Sequence, residues 1–263
     1  MRVAVADIEI EVDSAGDAGP AIVLVHGLGG SRKTWEALVP CLSRGARVRV
    51  PDLRGCGDST RGDQPYTLRR AADDVAAVAA ALGLGRYVLV GHSLGGVIVQ
   101  DLIVRRPPQV AGAVLVSTSS RLNEKATENW RRLADAVEAR GLPESPASAA
   151  RGFAEAYAGA HPDVVAAHAR IAASTSPRVY AEQARAASSY DYTDALANVS
   201  CPVLVLQGLA DRLTPPGGSV LLHRALPPGA RLEMIEGAGH NLPVEMPEKV
   251  AGLVLDFARE AGA

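Results

Sequence analysis

The chain has 263 residues, of which 48% are hydrophobic and 21% charged, and a formal net charge of −2. That length suits one large domain, or one domain with an insertion, and is ample for a sizeable core. The near balance of charge gives no electrostatic case for nucleic acid or an anionic membrane surface as partner. The three cysteines, Cys41, Cys56 and Cys201, are odd in number and widely spaced. This argues against a disulfide framework or a zinc cluster and fits reduced thiols in a cytoplasm. Met1–Asp7 lacks the apolar stretch of a signal peptide, and no apolar run is long enough to cross a bilayer.

In chain order, Arg2 to Val12 alternates and reads as a hairpin pair of edge strands, followed by the breakers Gly16, Gly19 and Pro20. Ala21–Val25 reads as a buried strand ending in His26-Gly27-Leu28-Gly29-Gly30. Thr34–Ser43 reads as a helix with Trp35, Leu38 and Leu42 near one face, Trp35 being a core residue. Ala46–Val50 is a second, parallel strand. Leu68–Leu84 is a helix with Leu68, Ala72, Val75, Val78 and Leu82 in one stripe, stopped by Gly83 and Gly85. A further strand over Val88–Val90, a helix ending near Pro107-Pro108 and a strand over Val110–Val116 follow. This alternation predicts a mostly parallel, doubly wound sheet.

After Ser117 the strand-like runs stop. Helix-like segments take their place: Glu124–Ala139, Ala147–Ala158, Val164–Ala173 and Arg178–Ser188. Cys201–Gly208 restores the buried-strand pattern, and Val220–Leu226 (helix), Arg231–Ile235 (strand) and Pro247–Ala258 (helix) close the chain. The expected organisation is an α/β core of residues 1–120 and 197–263, interrupted by an all-helical cap at 121–196.

The stretch Val88 to Val99 organises the rest. An apolar run passes through Gly91-His92-Ser93-Leu94-Gly95 into residues at helical spacing. Such a strand-to-helix turn is sharp, strains its central residue, and needs small neighbours. Ser93 would stand at the carboxyl edge of the sheet, beside the free N–H groups of a helix N-terminus. A serine hydroxyl becomes a nucleophile only when a base removes its proton. Of six histidines, His26 and His92 lie in tight turns, His161 and His168 in the insertion, and His223 in a helix. His240 lies in a glycine-rich loop at a strand's carboxyl end, on the edge where Ser93 emerges. The base needs an acceptor to orient it, and Asp211 ends the buried strand before it. The corresponding stretch after the preceding strand, Ser117-Thr118-Ser119-Ser120, holds no carboxylate.

With His26-Gly27, Asp52-x-Arg54-Gly55-x-Gly57-x-Ser59, Gly91-His92-Ser93-Leu94-Gly95, Gly208-x-x-Asp211 and Gly239-His240, the whole chain resembles the α/β-hydrolase fold family. Ser93, Asp211 and His240 fall in that family's order of nucleophile, acid and histidine. The resemblance implies an oxyanion hole from the backbone N–H groups of Leu28 and Leu94. It also matches Asp52 and Arg54 to a loop read as a structural ion pair or turn.

Of ten aromatic residues, six lie in the insertion: Trp130, Phe153, Tyr157, Tyr180, Tyr190 and Tyr192. They suit a lid over an apolar or cyclic substrate, or the lid's own small core. Trp130, Tyr157 and Tyr190 are candidate substrate contacts. Arg121, at the first hinge, could meet a carboxylate or simply face solvent. The chain most resembles 3-oxoadipate enol-lactonases, small carboxylesterases and serine perhydrolases. The expected reaction is hydrolysis of a small ester or lactone through an acyl-enzyme, with no metal or organic cofactor, in a monomer or homodimer. The alternatives are a carbon–carbon bond hydrolase, although Asn241 stands where those carry Trp, a cofactor-free oxygenase or cyclase, and a receptor that binds without turnover.

Overall fold

The computed structural model describes residues 1–142 and 146–263. The strands are β1 (Arg2–Val5), β2 (Ile8–Ala15), β3 (Ala21–Val25), β4 (Arg47–Pro51), β5 (Tyr87–His92), β6 (Val110–Val116), β7 (Val203–Gly208) and β8 (Arg231–Ile235). They form one sheet in the order β1-β2-β4-β3-β5-β6-β7-β8. β1 and β2 pair antiparallel, as do β2 and β4, and every other neighbour pair is parallel.

The helices are α1 (Val39–Leu42), α2 (Leu68–Ala81), α3 (Leu94–Ile103), α4 (Glu124–Arg140), α5 (Pro146–Ala150), α6 (Glu155–Ala160), α7 (Pro162–Ser174), α8 (Pro177–Ala186), α9 (Thr193–Leu196), α10 (Pro216–Ala225), α11 (Leu242–Glu245) and α12 (Pro247–Glu260). Strand alternation sorts the core into two layers. Ala21, Val23 and Val25 of β3 pack with α2, α3 and α10 on one face. Ile22 and Leu24 pack with Trp35, Leu38, Leu42 and α12 on the other.

The expected helix over Thr34–Ser43 is instead a 3₁₀ turn, Arg32–Trp35, followed by α1. Ser31 starts the first piece, its side chain accepting the Lys33 N–H. Pro40 lacks an N–H and sits in the first turn of α1, where none is required, so it begins a second helix. Trp35, Leu38 and Leu42 are nonetheless fully buried. The expected helix over Ala147–Ala158 also divides into α5 and α6, because Phe153 between them is buried and the backbone around it bonds to the core.

Asp52 and Arg54 do not pair with one another. Asp52 pairs with Arg32, and Arg54 reaches α2, where Nε and Nη2 donate to the two oxygens of Asp74 at 2.6 and 2.9 Å. Between β6 and β7, the described residues form α4 to α9 and no strand. No helix among the described residues is long and apolar enough to cross a membrane.

Candidate active site

Ser93 sits between β5, which is buried throughout, and α3, with φ 53° and ψ −117°. A side-chain-bearing residue in that region carries strain of about 1–3 kcal/mol, sustained only by surrounding structure. Here that structure is a close crossing of β3. A Cβ at Gly95 would lie 2.0 Å from the Val25 carbonyl oxygen. The Ser93 N–H donates to the Val116 carbonyl at 2.9 Å, tying the turn to β6. Ser93 itself is half-buried, unlike its neighbours on either side.

His240 lies in the loop between β8 and α11. Its Nδ1–H donates to Asp211 Oδ2 at 2.9 Å, which leaves Nε2 as the free proton acceptor. Asp211 Oδ1 accepts the N–H groups of Leu213 and Thr214, both at 2.8 Å. Oδ2 also accepts from Gln207 Nε2 at 3.2 Å. Burial opposes ionisation of Asp211, but His240 and the two backbone N–H groups outweigh it and hold the carboxyl below its ordinary range. A buried carboxylate so satisfied is a fixed orienting group for the imidazole.

The other histidines are committed elsewhere. Neutral His26 donates from Nδ1 to the Gly27 carbonyl (2.9 Å) and accepts the Leu53 N–H at Nε2 (3.0 Å). Burial holds its pKa down. His92 Nε2–H donates to the His240 carbonyl at 2.9 Å, and burial, with His240 beside it, pushes its pKa down to about 3. His92 is therefore a neutral strut under the loop that carries His240. His168 meets Phe153 edge-on, and burial followed by the nearby His240 pushes it down to about 4. His161 packs against Tyr157, and His223 bonds to the Ala230 carbonyl.

The His240 loop is pinned on its far side as well. Glu245 Oε2 accepts the N–H groups of Gly239 and Ala154, each at 2.9 Å, and the Asn241 N–H donates to the Gly152 carbonyl at 2.9 Å. The segment between α5 and α6 thus clasps the loop. No hydrogen bond joins Ser93 Oγ to His240 in this structure.

Leu94 is the first residue of α3, and Leu28 lies in the turn after β3. Among the described residues, neither N–H donates to a protein acceptor. The turn around Leu28 is held by its neighbour: the Gly27 carbonyl accepts both His26 Nδ1–H and the Gly30 N–H.

The four candidate substrate contacts separate. Trp130 packs with Leu28 around Ala134, Ala181 and Ala184, next to the turn. The Tyr190 hydroxyl lies 2.9 Å from Ser119 Oγ, and its ring lines an open cavity of about 400 Å³ with Tyr66, Asp101 and Tyr192 that none of Ser93, Asp211 and His240 lines. Tyr157 stacks on Phe153 and donates to the Val244 carbonyl at 3.3 Å, a contact between insertion and core. Arg121 is exposed and bridged by its backbone to Asp191.

Sequence reasoning passed over Gln207, Glu245, Thr175 and Gln183. Gln207 had a visible signal, as the one polar side chain before the glycine that ends the apolar run of β7. The others touch the site only through the fold.

A family model described as the alpha/beta hydrolase fold matches residues 20–247. The chain is 30% identical over 260 residues, 92% of each protein, to one provisionally named as the carbamate hydrolase RutD of Cronobacter turicensis. Among solved structures it is similar to a thermophilic esterase from Thermogutta terrifontis, with 32% identity, full coverage of both chains and a TM-score of 0.92. It is similar also to the enol-lactonase of Burkholderia xenovorans, with 27% identity, 98% and 100% coverage and a TM-score of 0.91.

Proposed function

This chain belongs to the α/β-hydrolase fold family, and we propose that it is a serine hydrolase of small esters or lactones. The observation that carries the reading is the buried Asp211–His240 pair, which occupies His240 Nδ1 and leaves Nε2 as the free ring nitrogen on the sheet edge that presents the strained Ser93. The similar proteins are named as an esterase, an enol-lactonase and, provisionally, a carbamate hydrolase, which supports the same class.

In this reading His240 Nε2 takes the Ser93 hydroxyl proton as Oγ bonds to the substrate carbonyl carbon. The carbonyl oxygen becomes an oxyanion that accepts from the Leu28 and Leu94 N–H groups, an interaction worth several kcal/mol in the transition state (about 3–4 for one donor). The carbon–oxygen bond to the leaving group then breaks, and that oxygen takes the proton from His240. Water, deprotonated by His240, attacks the acyl-enzyme, releases the acid and restores Ser93. Asp211 stays ionised and holds the tautomer. In this reading the helical insertion, 121–196, caps the site, with the Tyr180 ring against Gly29 and Trp130 packed with Leu28.

The test is pre-steady-state kinetics with p-nitrophenyl acetate, with intact mass after acid quench. An acetyl adduct on the wild type that Ser93→Ala lacks is expected. Undiminished turnover by Ser93→Ala would overturn the assignment.

A further inference from the structure

We propose that Gln183 and Thr175 are positioning residues through which the helical insertion sets the oxyanion turn, so that acyl transfer requires the insertion seated on residues 26–30. The inference rests on the serine-hydrolase reading above.

Gly29 follows the proposed oxyanion donor Leu28, and the insertion holds both of its backbone polar groups. Its N–H donates to Gln183 Oε1 at 3.0 Å, and its carbonyl accepts from Thr175 Oγ1 at 3.0 Å. Both side chains are buried, Gln183 completely. The Gly29 donor requires an oxygen opposite it, so the carboxamide has one orientation, with Nε2 donating to Cys56 Sγ at 3.1 Å. Burial pushes the Cys56 thiol up to about 12, so it remains a neutral acceptor.

The ring of Tyr180 closes the same place. Gly29 has φ +64°, and a Cβ there would lie 2.6 Å from Tyr180 Cε2. Helices α4 and α8 also pack over Leu28 through Trp130, Ala134, Ala181 and Ala184.

Leu28 therefore sits between two anchored peptides. The core holds the one before it, through His26 and Gly30 on the Gly27 carbonyl. The insertion holds the one after it. A glycine-rich turn has wide conformational freedom, and an oxyanion donor acts only while it stays aimed without reorganising. Removing the Gln183 oxygen strands a buried N–H, and the turn must shift to find another acceptor. The insertion thus supports catalysis at the turn as well as covering the substrate.

The experiment compares Gln183→Met, which keeps the shape and loses the oxygen, with Gln183→Glu, which keeps an oxygen facing Gly29. Glu182→Gln is the control: it breaks an ion pair from the same helix to Arg61 of the core without touching the turn. Each is assayed for kcat and KM on p-nitrophenyl acetate, for inhibition by an aryl trifluoromethyl ketone, whose adduct with serine needs the oxyanion hole, and for thermal unfolding. Gln183→Met should lose about 10- to 100-fold in kcat with KM changed less than about threefold, and should lose ketone affinity by the same factor as kcat. Gln183→Glu should recover most of both, and Glu182→Gln should match the wild type.

Wild-type kcat and ketone affinity in Gln183→Met overturn the inference, as does an equal loss in Glu182→Gln. If Gln183→Met does not fold, Thr175→Val, which removes only the hydroxyl, is read by the same criteria. A wild type that neither turns over the ester nor binds the ketone at Ser93 overturns the hydrolase reading and this inference together. An active wild type with an unaffected Gln183→Met overturns the inference alone.

Discussion

Replacing Asp211 by asparagine should disable the enzyme through a proton's position. In the wild type, Oδ1 accepts two backbone N–H groups at 2.8 Å, while Oδ2 accepts His240 Nδ1–H and Gln207 Nε2. The asparagine oxygen must stay on the Oδ1 side, because an NH₂ there would face two donors. The NH₂ then takes the Oδ2 place and donates to His240 Nδ1. The imidazole proton is forced onto Nε2, where it blocks removal of the Ser93 proton. The wrong tautomer is worth about 10⁴-fold in kcat in serine enzymes, or ~5 kcal/mol of transition-state stabilisation. Steady-state kinetics on p-nitrophenyl acetate would measure the loss, ¹⁵N shifts of His240 would report the tautomer, and thermal unfolding would check the fold. A loss below about tenfold with the Nδ1–H tautomer retained would refute the reasoning.

Three further outcomes are expected. Ser93→Gly should abolish turnover yet stabilise the fold by roughly 1 kcal/mol, because glycine accepts the backbone angles that strain Ser93; denaturant unfolding would check it, and a destabilised variant would contradict it. Asp74→Ala removes both oxygens that accept from the buried Arg54 guanidinium, leaving it only Asp7 at 3.8 Å, and should cost about 3–5 kcal/mol by the same assay. Burial raises the Glu245 carboxyl against the two N–H groups that favour its charge, so its ionised form weakens the fold. A raised acid pKa means stability present at low pH is lost as pH rises from the ordinary glutamate range through the folded value. Glu245→Gln should remove that part of the pH dependence in chemical unfolding measured from pH 4 upward, and an unchanged slope would count against it.

Much of the arrangement was legible in the residues because its causes are local. The apolar, β-branched runs of β3, β5, β6 and β7 encode strands buried on both faces, and glycine spacing around Ser93 encodes the sharp turn. Chain order alone put Asp211 and His240 at the ends of successive strands, where the structure pairs them. Local signals were weaker where one residue could serve two patterns. Pro40 sits inside an apolar helical stripe, so periodicity favoured one helix while the missing N–H required two.

What only the tertiary structure decided concerns partners distant in sequence. Asp52 and Arg54 are two residues apart, but their counter-charges come from the turn before α1 and from α2. Nothing local marks Gln183 as the acceptor for Gly29, 154 positions away. The six aromatic residues of the insertion look alike in composition, yet packing sends Trp130 to the Leu28 turn and Tyr157 to the Val244 carbonyl. The chain by itself determined the strands and most of the helices, since those follow from periodicity and backbone freedom. Folding decided which polar groups satisfy one another there, since a buried donor takes whichever acceptor the packed elements bring within reach.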